Sequence, residues 1–371
     1  MSSNNQQNLS QVKEILRQHA EQQFAQEIEA LKEVDDKPKP PNWQLSPWAV
    51  LQYLLGGKLA NDTQISPKYF GQERLVETAV ATLATDRALL LMGVPGTAKT
   101  WISEHLSAAI SGDSTLLIQG TAGTSEDSIR YGWNYAKLIA EGPSREALVE
   151  TPLMKGLEDG KIVRVEELTR IPADVQDTLI TILSEKTLPI PELNSEVQAN
   201  RGFNVIATAN DKDKGVNDLS SALQRRFNTV ILPLPSTSEE EVKIVQNRVK
   251  SISKTLQLPE MPDSADEIKK IVTIFRELRA GVTEDNKTKL KSPSGTLSPA
   301  EAISVATQGL TLATYYGDGS LTSEDLAASL TGAIIKDRVQ DTVVLQEYLE
   351  SVVKNRPEWK DLYRACREVV K

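Results

Sequence analysis

The eight residues GVPGTAKT, positions 93 to 100, restrict what this chain can fold into more than any other stretch. They follow the short apolar run ALLLM (88–92), which reads as a strand. They precede WISEHLSAAI, which reads as a helix. A glycine-containing turn between a strand and a helix directs backbone N–H groups inward at the positive end of the helix, which makes a cradle for phosphate. The stretch fits the phosphate-loop pattern except that Ala98 stands where a glycine is usual. On that pattern Gly93, Val94, Pro95, Gly96, Thr97 and Ala98 form the cradle. Lys99 reaches the β and γ phosphates, and Thr100 holds Mg²⁺ through its hydroxyl. The expected ligands are therefore ATP and Mg²⁺. Ala98 fits this loop if it already sits at the helix opening with a negative φ, where a methyl group costs little.

Three further pieces follow in order. In KIVRVEELTR (161–170) an apolar strand ends in two acids. On a strand Ile162, Arg164 and Glu166 point one way, and Val163, Val165 and Glu167 the other. The acids leave the carboxyl end of the strand, where open α/β sheets bind ligands. Glu166 is then placed for the outer shell of a metal near Thr100, with Arg164 on the same face to pair with it, and Glu167 for polarising a water. The strand FNVIATAN ends in Asn210, whose amide suits contact with a γ-phosphate and the attacking water. In SALQRRFN, Arg225 and Arg226 precede the last strand, placed to reach the γ-phosphate of a neighbouring subunit and stabilise transition-state charge.

The wider pattern agrees. From about residue 41 to 235, the apolar runs 88–92, 115–119, 162–165, 203–209 and 228–234 alternate with helical stretches, which predicts a parallel sheet covered on both faces. Residues 236–371 carry helical spacing only, starting at the capping signal PLPSTSEEE. Residues 9–34 read as one amphipathic helix that packs on the body or a neighbour, and DDKPKPPNW closes this N-terminal segment (1–40) as a linker.

Lys and Arg total 42 against 51 Asp and Glu, a net charge of −9, which disfavours nucleic acid as the main partner. One cysteine, Cys366, and two histidines, His19 and His105, allow neither a disulfide framework nor a histidine-based metal site within one chain. MSSNNQQNLS is not a secretory signal, and no apolar run approaches membrane-spanning length, so a cytoplasmic protein is expected.

The ordered set resembles the AAA+ ATPases, and more narrowly the MoxR family. FGQERLVE (70–77) looks like the family's entry into the nucleotide pocket. GVPGTAKT matches its phosphate loop, and EELTRIPADVQDTLITILSEK its acidic strand end. Arg226 falls on its arginine-finger position, and SPAEAISVATQGLTLATYYGDGSLTSEDL is similar to its helical lid. The resemblance spans roughly residues 45–340. It implies an AAA+ αβα sandwich with a five-stranded parallel sheet, followed by an all-α lid. It also implies a hexameric homo-oligomeric ring with ATP held between subunits, and an insert (121–156) and a β-hairpin (187–202) ahead of the Asn210 strand. A protein client or adaptor, such as a von Willebrand factor A-type protein, is implied as well. Two positions depart from the family: Glu166 stands where it has Asp, and Ala300 where its lid has Arg. The leading reading is a Mg²⁺-ATP-hydrolysing ring that remodels or matures a partner protein. The alternative is a nucleotide-dependent switch or scaffold with negligible hydrolysis.

Overall fold

The structure, a computed structural model, describes residues 15–210, 217–258 and 265–370. Five strands form one parallel sheet: β1 (Ala88–Gly93), β2 (Leu117–Gln119), β3 (Ile162–Glu166), β4 (Asn204–Asn210) and β5 (Phe227–Ile231), in the order β5-β1-β4-β3-β2. The central strands are buried on both faces, which is why they read as nearly continuous apolar runs. Their two-residue period still sorts the core. Leu89, Leu91, Ile162, Ile206 and Val230 join one cluster, and Ala88, Leu90, Val163, Val165, Val205, Ala207 and Ala209 join the other. The register brings functional ends level: Asn210 lies beside Gly93, and Gln119 beside Glu166.

The helix Lys99–Ser111 crosses the first of these faces, and the helices Pro47–Leu55 and Glu73–Leu83 cover the remainder of it. The N-terminal segment differs from the expectation of one helix over 9–34. Leu9 and Val12 lie outside the described residues, and helix appears only at Ala20–Gln23 and Ala25–Val34, with a break at Phe24 (φ −112°, ψ 24°). Packing explains the break, because the Phe24 ring turns edge-on to Tyr53, Trp101 and His105. Ile28 and Leu31 join the sheet's core, so this segment is packed onto the body.

The insert contains a short antiparallel pair, Tyr131–Trp133 with Leu148–Glu150, flanking the helix Tyr135–Glu141. Tyr131 is buried, while Tyr135 is exposed. The expected hairpin forms from Thr187–Ile190 and Ser195–Gln198. Tyr131 donates its hydroxyl proton to Glu192 at 2.8 Å, tying insert to hairpin.

After β5 the described chain is helical, beginning with Ser238–Thr255, whose first turn is capped by Thr237 accepting from the Glu240 N–H. Val245, Val249, Phe275, Ala306, Leu326 and Tyr348 share a core separate from the two at the sheet. No helix among the described residues is long and apolar enough to cross a membrane.

Candidate active site

The carboxyl ends of β1, β3 and β4 converge on one rim. From β1 the chain enters the loop 93–98 and then the helix Lys99–Ser111. Lys99 is buried, and its ammonium donates to the carbonyls of Gly93 (2.9 Å) and Val94 (3.0 Å), bracing the loop. Thr97 adds a bond to the Val94 carbonyl at 3.0 Å. Gly96 has φ +82°, and a Cβ there would lie 2.1 Å from Cβ of Ser298, so the loop touches the lid directly. Ala98 departs from the expectation of a negative φ, adopting φ +63° and ψ 22° as the residue that caps the helix. The chain must turn through the left-handed region here to aim successive N–H groups into one concavity, and a non-glycine residue bears a strain of about 1–2 kcal/mol for it.

Behind the tip of β3, Glu166 is almost fully buried (1% exposed) and saturated. Its Oε2 accepts from Thr100 Oγ1 (2.9 Å) and Thr208 Oγ1 (2.6 Å). Its Oε1 accepts from the Arg164 guanidinium (2.9 Å) and from the Ser103 hydroxyl. Arg164 is buried too, and reaches Ser103 Oγ (3.1 Å), Ser114 O (3.1 Å) and Thr100 O (3.3 Å). The pairing expected from their shared strand face is therefore present, and it locks Glu166 to the start of the loop helix.

Glu167 has left the strand into the left-handed region (φ 56°, ψ 45°), which directs its side chain away from that of Glu166. Its carboxylate accepts from Asn210 Nδ2 at 3.1 and 3.3 Å and from Arg170 Nε at 3.3 Å. Its N–H donates to Thr208 Oγ1 at 3.1 Å, so one threonine contacts both acids. Gly120 closes the rim, since a Cβ there would lie 2.4 Å from the Glu167 carbonyl.

The structure thus gathers the loop 93–98, Lys99, Thr100, Glu166, Glu167 and Asn210. It does not bring Arg225 and Arg226 to them. Phe227 is paired with Ala88 at the opposite end of β1, a strand length of roughly 16 Å from the loop. There Arg226 donates to Ser184 Oγ (2.8 Å) and Ala222 O (2.6 Å), and Arg225 is exposed. Sequence reasoning missed Ser103 and Thr208. The second carries a signal, a hydroxyl within an apolar strand two residues before Asn210. At the lid, Ser298 and Glu301 form a capping box at the start of the helix Pro299–Tyr316, and Ala300 is exposed.

The outer face of the loop helix carries Trp101, Glu104 and His105, one turn apart. His105 is fully buried with Nδ1 2.8 Å from the Tyr53 hydroxyl. Burial, helped by nearby Lys68, Arg248, Arg164 and Arg17, holds its imidazole well below the usual range. Burial also pushes the Lys68 ammonium down to about 8, against the pull of its partner Glu27.

Two family models match the chain. An AAA domain of the dynein-related subfamily covers residues 88–227, and the C-terminal domain of YehL-like AAA+ ATPases covers residues 239–371. YehL of Escherichia coli (strain K12) is 41% identical over 348 residues, which is 92% of this chain and 94% of that protein. A Staphylococcus haemolyticus (strain JCSC1435) protein is 27% identical over 157 residues, covering 42% of this chain and 59% of its own. Among solved structures, NtrX from Brucella abortus in complex with ADP aligns at a TM-score of 0.49 and 12% identity, covering 80% of this chain and 64% of that one. Both domain models and the near full-length match to YehL agree: this chain belongs to the YehL-like family of AAA+ ATPases.

Proposed function

We propose that the protein is a Mg²⁺-ATP-hydrolysing ring ATPase of MoxR type that remodels or matures a partner protein. The observation that carries this reading is the division of labour at the tip of β3. One carboxylate is tied to Thr100, and its neighbour is held by Asn210 on the other side of the backbone. The loop N–H groups and Lys99 would bind the phosphates. Glu167 would accept a proton from the water that attacks the γ-phosphorus, while the bond to the β–γ bridging oxygen breaks and ADP and phosphate leave. Asn210 fits a role in orienting that water.

The donor set suits Mg²⁺. Thr100 offers a hydroxyl and Glu166 a carboxylate, both hard oxygen ligands. Among the described residues no three acidic, histidine or cysteine side chains cluster, as befits an ion bound largely by phosphates and water. When bound, the ion would neutralise charge on the β and γ phosphates. With every oxygen of Glu166 already engaged, that residue suits the outer shell, its extra methylene relative to Asp taken up by the tie to Arg164.

Arg226 lies too far from its own loop to serve it, which supports a site completed by a neighbouring copy, in a hexameric ring as the MoxR likeness implies. A von Willebrand factor A-type protein as client and a cytoplasmic location belong to the same proposal. The alternative, a nucleotide-dependent switch or scaffold, is favoured by Ala300, which leaves the first turn of the lid helix 299–316 without a cation. Steady-state ATP hydrolysis measured against protein concentration separates the two. The ATPase reading expects turnover per subunit to rise with concentration and to drop at least tenfold in Arg226→Ala with nucleotide affinity retained. Tight binding with no turnover at any concentration, with or without a stimulating partner, sinks it in favour of the switch.

A further inference from the structure

Trp101 directly follows Thr100, and its indole is the meeting point of three parts of the chain. From the lid, the Arg248 guanidinium of the helix Ser238–Thr255 stacks over the ring, 3.8 Å from its centroid. From the segment before the sheet, the Lys68 carbonyl accepts from the indole N–H at 2.9 Å. From the N-terminal segment, Phe24 stands edge-on at 6.5 Å, and His105, one turn along, packs against the ring at 4.1 Å. Lys68 is fixed in turn, with its ammonium over the Phe24 and Tyr53 rings and paired with Glu27. Arg17 joins the group through Glu104 at 2.5 Å.

Three other cations of the helical region are committed elsewhere. Arg276 bonds Glu241, Pro235 O and Ser236 O, Arg279 bonds Glu241 and Leu297 O, and Lys291 pairs with Glu347. Arg248 forms no hydrogen bond or ion pair with any described residue; it meets the body through the stack, within electrostatic reach of Glu104 and Arg17. We propose that Arg248 and Trp101 are a positioning pair that sets the lid against the phosphate loop. Because the indole is anchored to Lys68 and flanked by Phe24, the N-terminal segment holds the body's half of this joint. The proposal rests on the nucleotide-site reading for its effect on ligand binding, but the joint itself is measurable without ligand.

The experiment compares wild type with Arg248→Leu and Arg248→Lys. It follows amide hydrogen exchange over residues 238–255 without nucleotide, and ADP–Mg²⁺ affinity by calorimetry. A cation on an aromatic face contributes enough for Arg248→Leu to speed exchange in that helix and weaken ADP about 2- to 30-fold. Exchange in β1, β3 and β4 should stay unchanged, and Arg248→Lys should fall between the two. Trp101→Phe, which keeps an aromatic face, should lose less than Trp101→Leu, which guards against a variant that merely folds poorly. Exchange over 238–255 in Arg248→Leu equal to wild type would overturn the joint. So would loss spread evenly through the sheet, or no rescue by lysine. Absence of ADP binding by wild type would count against the nucleotide reading alone, and the ligand-free exchange would still decide the joint.

Discussion

The region behind the tip of β3, around Glu166, and the region in front of it, around Glu167, differ in how completely the protein satisfies a carboxylate. Three hydroxyls and a buried arginine close around the first. The second is partly open and keeps an amide and a rim arginine as partners. Adjacent residues reach these opposite fates because a strand turns successive side chains to opposite faces, and because Glu167 then enters the left-handed region. A saturated acid has little capacity left for proton transfer, but it can hold the Thr100 hydroxyl in place. An open acid can meet a water. The difference teaches that position relative to the sheet, more than residue type, sets the environment of each acid.

The comparison can be broken in several ways. The largest expected effect is on Glu167→Gln, which should lower kcat about 10²- to 10⁴-fold while urea unfolding midpoints stay near wild type. A midpoint shift as large as that of an inner-side variant would remove the contrast. Next comes Arg164→Met, which strands a buried carboxylate and should cost about 3–5 kcal/mol of unfolding free energy. Chemical denaturation at fixed m-value measures it, and a loss under about 1 kcal/mol would show that Glu166 is held by the hydroxyls alone.

Smaller changes sharpen the picture. Glu166→Asp shortens the acid by one methylene, and kcat/KM should hold or rise; a collapse would mean the longer chain is required to span the distance set by Arg164. The smallest effect is on Ala98→Gly, which relieves a positive φ and should raise stability by about 0.5–1 kcal/mol without altering nucleotide affinity. Thermal unfolding reads this directly. A destabilised variant would mean that the Ala98 methyl group packs usefully despite the strain.

Much of the site was legible because its signals are local. Strand period placed Arg164 with Glu166, and the end of an apolar run placed Asn210 at a strand tip, which the sheet register sets level with Gly93. The sheet and the helical end region follow from the same reading of period and length. What escaped depends on contacts between distant segments. Ser103 and Thr208 become partners of Glu166 only once β4 and the loop helix lie on either side of β3. The φ of Ala98 is set by closure of the loop onto its helix, a demand that overrides a residue's own preference. The break at Phe24 is decided by an aromatic cluster assembled from three segments, so helical periodicity alone ran through it.

The contact between Gly96 and Ser298 has a genetic consequence. Adding a single carbon at position 96 places it 2.1 Å from the serine's own Cβ. The two positions therefore cannot vary independently, although one belongs to the phosphate loop and the other to the lid. An alanine at 96 would bear the strain of a φ of +82° and would need, besides, a glycine at 298 or a lid rotated outward. Selection for second-site suppressors of Gly96→Ala should return changes clustered at 298 and along the lid helix that begins there. Epistasis of this kind would map how far the lid can swing without any measurement of its motion.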